Sequence, residues 1–338
     1  MGLGTLEGIG QMLAEQKTEK PVGSFLAIYL ETLRVDSVPD FDLYIEQGGS
    51  LVLYRSSSLP FTEKARSTLV ENGVSKLYVS SDDQQRYLQY VESNIRDILN
   101  DSSIEDVTKA GIVYDSAKHL VEDVFENPTR GENIRRCEAM VESTVSLILH
   151  RENALQNLLQ VMSTDYYTYT HSINVSAYSL ALGQSIGIRS PTELKQLGTG
   201  AILHDIGKTK LPESILKKRG SLTSGEKELI MRHPQWGYEI IKHTDILSDA
   251  SCAAIIQHHE RENGSGYPNK IGRDYIHRYS KIVAIADAFD AMTTQRVYRP
   301  AKDTFPVLKI MYDQEDAFDR KLLERFTKLL GPNHPGAL

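Results

Sequence analysis

The feature that most constrains the fold of this chain is a change in hydrophobic periodicity near residue 100. Before this point, short apolar runs such as SFLAIYLETL and LVLYRSSS predict β-strands. Gly48-Gly49-Ser50 separates two such runs and predicts a hairpin. After residue 100, apolar residues recur at helical spacing, and no strand alternation is visible from Asp165 onward. We therefore predict a small α+β domain followed by an all-α helical bundle.

The length of 338 residues exceeds one ordinary domain and fits two. We predict an α+β domain over 1–102, a helical connector over 103–150 and a second domain over 151–338. Helical periodicity continues to about residue 160, with a single interruption near Asn127. Such a long helix fits either packing on its own domain or pairing across a homodimer. Because the first domain contains no recognisable catalytic residues, we expect it to be regulatory.

Composition excludes several classes of protein. With 40% hydrophobic and 25% charged residues, the chain is expected to be globular, and its formal charge of −7 argues against general nucleic-acid binding. The two cysteines exclude a disulfide scaffold and a cysteine-based zinc site. No apolar run approaches the ~20 residues of a membrane helix, and the start of the sequence does not resemble a signal peptide. We therefore expect a cytoplasmic protein without membrane association.

Histidines and aspartates recur within or at the ends of apolar helices in the second half of the chain. Each motif alone is typical of a structural residue, but a buried carboxylate is costly unless it is paired, and a shared cation accounts for all of them together. Imidazole and carboxylate ligands suit Fe, Mn or Zn. Adjacent side chains on a helix diverge by about 100°, so His204 and Asp205 are not expected to serve one ion from mid-helix, whereas Asp205 can bridge two ions. The candidate ligands are His171, His204, Asp205, His233, His258, His259 and Asp287.

Four segments between about residues 165 and 326 resemble the HD-GYP family, a subgroup of the HD phosphohydrolase superfamily. LHDIGKTKLP resembles the HD signature, HHERENGSGYP contains the Gly266-Tyr267-Pro268 motif, and ADAFDAMTTQRVYRPA and EDAFDRKLLERF resemble the closing segments. The resemblance implies an HD-type bundle that hydrolyses cyclic di-GMP to linear pGpG through a hydroxide between two metal ions, and it leaves open whether hydrolysis continues to GMP. Two alternatives stay open: a cyclic di-GMP receptor that signals through protein contacts, and an HD phosphohydrolase of another nucleotide.

The resemblance also implies a division of the ligands between two divalent ions, with Fe or Mn expected and Zn, Ni or Mg as alternatives. Family members with three ions have a Glu where this chain has Tyr167, so we expect two. Asp205 would bridge them. The first ion would be held by His171, His204, Asp205 and Asp287, and the second by His233, His258 and His259.

Substrate contacts are implied for a set of basic and aromatic residues. Lys208 would act beside Asp205 in catalysis by meeting a substrate phosphate, and Gly207 is expected to end the preceding helix and free that turn. Arg296 and Arg299 share a helix face and correspond to phosphate-binding positions, for which the planar guanidinium is suited. A solvated surface role is the alternative for these cations, and for Arg261 a phosphate role is equally open.

The loop Gly264–Pro268 contains two glycines for unusual backbone angles and one proline that stiffens its exit. Tyr267 would stack on guanine, hydrogen-bond a phosphate or brace the loop. In the family this loop is also a partner-binding surface, so the resemblance implies GGDEF-type or other signalling proteins as partners besides cyclic di-GMP.

Overall fold

The structure of the chain is a computed structural model that describes residues 24–151, 153–162, 168–218, 220–294, 303–314 and 316–331. It contains two compact units, the first ending at Glu105 and the second beginning at Asp106. Within the described residues, every helix is too short or too polar to cross a membrane.

The first unit has the predicted α+β composition. Its strands are β1 (Phe25–Tyr29), β2 (Leu43–Gln47), β3 (Ser50–Arg55) and β4 (Lys76–Ser80), and its helices are α1 (Glu63–Glu71) and α2 (Gln84–Asn100). The four strands form an antiparallel sheet in the order β1-β4-β2-β3. Gly48 and Gly49, with φ of 60° and 78°, connect β2 to β3 and confirm the predicted hairpin.

In the described residues of the second unit, all regular secondary structure is helical, which confirms the all-α prediction. Short 3-10 turns at Ile206–Lys210 and Arg273–Tyr275 connect some of its helices. The helices are α3 (Asp106–Glu126), α4 (Gly131–His150), α5 (Ala154–Val161), α6 (Thr168–Ser185), α7 (Pro191–Ile202), α8 (Glu213–Leu216), α9 (Ser224–Ile230), α10 (His233–Lys242), α11 (Asp249–Gln257), α12 (Arg278–Thr293), α13 (Thr304–Asp313) and α14 (Arg320–Leu330).

Of the segment 103–150, predicted as a connector, residues 106–150 form α3, α4 and the turn between them and belong to the second unit. The expectation of uninterrupted helix from there to about residue 160 is wrong. The helix stops at His150, and Asn153 adopts a left-handed conformation with φ of 65° before α5 begins. Asparagine tolerates this conformation better than most residues, so a second interruption is possible without glycine.

Helix α7 lies at the centre of the second unit, against α4, α6 and α11. Helix α12 packs against both α6 and α11, and α10 packs against α11 and the turn that follows α7. Capping fixes where two of these helices begin: Ser190 accepts a hydrogen bond from the Glu193 N–H at the start of α7, and Ser248 accepts one from the Ser251 N–H at the start of α11. This packing brings helix ends from distant parts of the sequence to one place.

Candidate metal centre

The seven candidate ligands meet at the junction of α6, α7, α10, α11 and α12. Except for His259, whose side chain is 19% exposed, they are buried. His171 is on α6 and Asp287 on α12, His233 begins α10, and the pairs His204-Asp205 and His258-His259 follow the last residues of α7 and α11.

The first group contains His171, His204 and Asp205, whose ligand atoms lie within 4.8 Å of one another. Nε2 of His171 is 3.7 Å and Nε2 of His204 is 3.4 Å from the same oxygen, Oδ2 of Asp205. His204 and Asp205 therefore do converge on one point, contrary to the expectation for neighbours in mid-helix. The reason is that α7 has already ended at Ile202, and both residues lie in the turn after it.

The second group contains His233, His258 and His259, again with ligand atoms within 4.8 Å of one another. Nε2 of His233 lies 3.1 Å from Nε2 of His258 and 3.2 Å from Oδ1 of Asp205. The two oxygens of Asp205 thus face different histidine groups. This is the arrangement required of a carboxylate that bridges two ions.

Asp287 also extends between the groups. Its Oδ1 is 3.1 Å from Nε2 of His171 and 3.8 Å from Nε2 of His204, while its Oδ2 is 3.7 Å from Nδ1 of His259. The family resemblance implies that this residue binds the first ion alone. In the structure its second oxygen faces the second group.

Three of the histidines direct a free Nε2 lone pair at the centre, which is the form that metal binding requires. Nδ1 of His204, His233 and His258 each lies 2.7 Å from the backbone carbonyl oxygen three residues earlier. Because a carbonyl oxygen only accepts, each Nδ1 carries the proton, and in the neutral ring Nε2 presents its lone pair to the centre. Burial, and then the neighbouring histidines, lower the pKa of His258 well below its usual value, so this ring is neutral.

These donor atoms fit a cation better than they fit each other. Two lone pairs face each other across the 3.1 Å between His233 and His258. Nε2 of His204 and Oδ1 of Asp205 are buried without a hydrogen-bond partner in the described part of the chain. A buried polar atom of this kind costs about 1–3 kcal/mol, which a bound cation removes. The set of imidazole and carboxylate ligands therefore fits divalent metal ions.

Lys208 also reaches this centre. Its ammonium group donates a hydrogen bond of 2.5 Å to Oδ2 of Asp205. Although burial alone would raise the pKa of Asp205, the ammonium group of Lys208 holds it well below its usual range. Gly207 does not act as the predicted helix terminator, because it lies inside the 3-10 turn Ile206–Lys210. A Cβ atom there would lie 1.9 Å from the backbone oxygen of His233, so the glycine allows the turn to pack closely against α10.

An open cavity of 360 Å³ lies beside the second histidine group. Tyr267 and Arg261 line it, and the Tyr267 ring stacks on the ring of His259 with centroids 4.6 Å apart. The guanidinium of Arg261 lies 4.8 Å from the ring centre of Phe318 and donates to the backbone oxygens of Glu260 and His258. The other two predicted phosphate contacts, Arg296 and Arg299, lie outside the described residues, as does Tyr167.

The two glycines of the loop have different roles. Gly264 has φ of 74°, as the expectation of unusual backbone angles requires. A Cβ atom on Gly266 would lie 2.4 Å from the backbone oxygen of His259, so this glycine allows the loop to approach the ligand pair.

Two carboxylates that support the centre were missed by the sequence analysis. Asp290 Oδ2 lies 2.7 Å from Nδ1 of His171, and the signal for it was its position one helical turn after Asp287. Glu260 accepts hydrogen bonds from the backbone N–H groups of Asn269 and Ile271, at 2.7 and 3.2 Å. It thereby holds the segment that follows the Gly-Tyr-Pro motif.

Comparison with known proteins shows which family the chain belongs to. The HD domain family matches residues 136–322. Cyclic di-GMP phosphodiesterase PA4108 of Pseudomonas aeruginosa is 31% identical over 236 residues, which cover 69% of this chain and 57% of that protein. 3′3′-cGAMP-specific phosphodiesterase 2 of Vibrio cholerae is 31% identical over 195 residues, which cover 57% of this chain and 36% of that protein. The chain thus spans about a third to a little over half of the length of these relatives.

One solved structure is similar over most of the chain. It is that of Bd1817, an HDG"Y"P protein from Bdellovibrio bacteriovorus, with 25% identity and a TM-score of 0.63 over 90% of this chain and 99% of that one. With the family match, the two histidine and aspartate groups and the Gly266-Tyr267-Pro268 loop together, this chain belongs to the HD domain family, in its HD-GYP group.

Proposed function

We propose that this protein is a metal-dependent phosphodiesterase that hydrolyses cyclic di-GMP to linear pGpG; a second hydrolysis to GMP is the alternative end of the reaction. The observation that carries the proposal is that the two oxygens of Asp205 face different histidine groups, Oδ2 the first and Oδ1 the second. The name of the Pseudomonas relative supports cyclic di-GMP as the substrate.

The proposal assigns each candidate ligand to one of two divalent ions. When bound, two divalent ions supply hydroxide from water near neutral pH and neutralise the charge of the phosphate. Nitrogen and oxygen donors without thiolate favour Fe or Mn, with Zn, Ni and Mg as alternatives. The first ion is assigned to His171, His204, Asp205 and Asp287, and the second to His233, His258 and His259, with Asp205 shared.

The reaction adds one water across a phosphodiester bond: phosphorus gains an oxygen, and the ribose 3′ oxygen leaves with a proton. Lys208, whose ammonium lies against Asp205, is placed to stabilise negative charge on the phosphate. Arg296 and Arg299 are proposed to bind the phosphates in pairs of hydrogen bonds. Arg261 and Tyr267 line the cavity in which we place part of the nucleotide.

The wider assignments from the sequence are part of the same proposal. They are regulation by the first unit, action in the cytoplasm, a homodimer, and binding of GGDEF-type or other signalling proteins through the Gly-Tyr-Pro loop. Cavity-lining residues of this loop, such as Ser265, are accessible beside the centre, which supports the last of these.

The experiment is a substrate panel with full-length protein purified and loaded with Fe or Mn under oxygen-free conditions. The panel contains cyclic di-GMP, 3′3′-cGAMP, which the name of the Vibrio relative suggests, and mononucleotide and alarmone phosphates. We expect turnover of cyclic di-GMP to pGpG, abolished in His204→Ala. The matched control is His243→Ala, which removes an exposed histidine outside the centre and should leave turnover unchanged.

Three outcomes contradict the proposal in different ways. Binding of cyclic di-GMP without turnover at full metal loading would identify a receptor. Turnover restricted to another nucleotide would identify a different phosphohydrolase. Equal turnover by His204→Ala and the unmodified protein would remove the centre described above from the reaction.

A further inference from the structure

A chain of buried hydrogen bonds leads from helix α3 to the metal centre. The Tyr114 hydroxyl donates to Oδ1 of Asn174 at 3.0 Å, and Nδ2 of Asn174 donates to Oδ1 of Asp290 at 2.9 Å. The other oxygen of Asp290 lies 2.7 Å from Nδ1 of His171. All four residues are at most 5% exposed.

The direction of each bond in this chain is set by the carboxylate. The two oxygens of Asp290 accept, one from Asn174 and one from His171, so the amide nitrogen of Asn174 faces Asp290 and the amide oxygen faces Tyr114. The tyrosine must then donate. On the opposite side, Nδ1 of His171 must carry the proton, which leaves Nε2 as the nitrogen directed at Asp287 and Asp205.

Tyr114, the residue of this hydrogen-bonded series that is farthest from the metal centre, lies outside the part of the sequence that matches the HD domain family. That match begins at residue 136, whereas Tyr114 is on α3, in the segment that the sequence analysis treated as a connector. The interactions of α3 with α6 bring the tyrosine to Asn174.

We propose that Tyr114 and Asn174 act through Asp290 as positioning residues that hold His171 in the orientation and tautomer for binding the first ion. The inference rests on the proposed metal centre. A carboxylate or amide that orients a ligating histidine typically contributes about 10- to 100-fold to metal affinity. Tyr114 is two hydrogen bonds further from His171 than Asp290 is, so its contribution to metal affinity is expected to be smaller.

The test is a titration of metal-free, full-length protein with Mn²⁺, comparing the unmodified chain with Tyr114→Phe and Asp290→Asn. We expect Asp290→Asn to weaken the binding of one ion about 10- to 100-fold and Tyr114→Phe to weaken the same ion by up to about 10-fold, with the other ion unaffected. The matched control is Tyr87→Phe, which removes a buried tyrosine hydroxyl, hydrogen-bonded to Thr32, from the first unit. It should leave both affinities unchanged.

A purely structural role for Tyr114 predicts a different pattern. Affinity for Mn²⁺ would then stay unchanged in Tyr114→Phe, or fall for both ions in step with the loss of thermal stability, and either result overturns the inference. A second measurement does not depend on metal: the ¹⁵N shifts of the His171 ring in metal-free protein. We expect a protonated Nδ1 in the unmodified chain and in Tyr114→Phe, and its loss from part of the molecules in Asp290→Asn; an Nδ1 signal that is the same in Asp290→Asn contradicts the inference.

These results separate the two proposals. If the unmodified protein binds no Mn²⁺ and has no turnover, the proposed function fails, and the ring shifts still decide whether Asp290 holds the Nδ1 proton of His171. If the unmodified protein binds two ions and Tyr114→Phe does the same with equal affinity, only the positioning chain is wrong.

Discussion

His233 lies 3.2 Å from Oδ1 of Asp205, on the opposite side of that carboxylate from the oxygen that faces His171 and His204. One aspartate therefore joins two groups of ligands that come from distant helices. Because both ligand groups depend on Asp205, we expect its replacement to weaken the binding of both ions, whereas loss of a ligand to one ion should weaken only that ion.

Replacing Asp205 is expected to affect both ions. Asp205→Ala removes the shared oxygens, so metal content should fall by more than one ion per chain, and turnover should fall by at least about 10²–10³-fold. Metal analysis after gel filtration, together with a turnover assay, measures both. If Asp205→Ala keeps two ions, the carboxylate does not bridge.

Replacing Lys208 should separate metal binding from catalysis. Its ammonium bonds to the Asp205 oxygen of the first group, so Lys208→Met removes a positive charge that opposes a cation there. We expect Mn²⁺ to bind as tightly or more tightly, while turnover of cyclic di-GMP falls by about 10²-fold through lost stabilisation of charge. The control is Lys210→Met, which removes an exposed lysine that pairs with Glu239. Weaker Mn²⁺ binding in Lys208→Met would contradict the assigned role.

The close approach at Gly207 predicts a loss of stability. Gly207→Ala would place a Cβ atom 1.9 Å from the His233 backbone oxygen, so the turn and α10 must separate, at about 1–3 kcal/mol of unfolding free energy. Gly225→Ala is the matched control, because a Cβ atom on that helical glycine meets no atom within 4 Å. Denaturant unfolding of both variants measures the difference. Equal stability would show that the turn is not held against α10.

The Glu260 carboxylate predicts an effect on the substrate cavity. Glu260→Gln puts an amide donor against one of two backbone N–H donors, at Asn269 or Ile271. The loss of one buried hydrogen bond costs about 1–3 kcal/mol and should loosen the segment after the Gly-Tyr-Pro motif. We expect a higher KM for cyclic di-GMP with metal content unchanged. As a control, Glu228→Gln changes a carboxylate on α9 and should have no effect on KM; an unaltered KM in Glu260→Gln would exclude this role.

Features that depend on neighbouring residues could be predicted from the sequence. The hairpin at Gly48-Gly49 follows from the conformational freedom of glycine. The left-handed backbone of Gly264, with φ of 74°, follows from the same freedom. The ligand candidates could be found because they are rare residue types in recognisable local motifs.

Features that depend on packing between distant elements could not be predicted in the same way. The convergence of His204 with Asp205 depends on α7 ending at Ile202, which helical periodicity does not locate to the residue. Asp290 lies in the same sequence motif as Asp287, but its role depends on facing His171, which is on another helix. Tyr114 belongs to no motif, and only the packing of α3 against α6 brings it to Asn174.

The most direct test of the central claim is anomalous X-ray diffraction at the manganese edge from crystals of the Mn²⁺-loaded, full-length protein. The account predicts two peaks about 3.5–4 Å apart, one beside each oxygen of Asp205. A single peak, or two peaks that do not share this carboxylate, would contradict it.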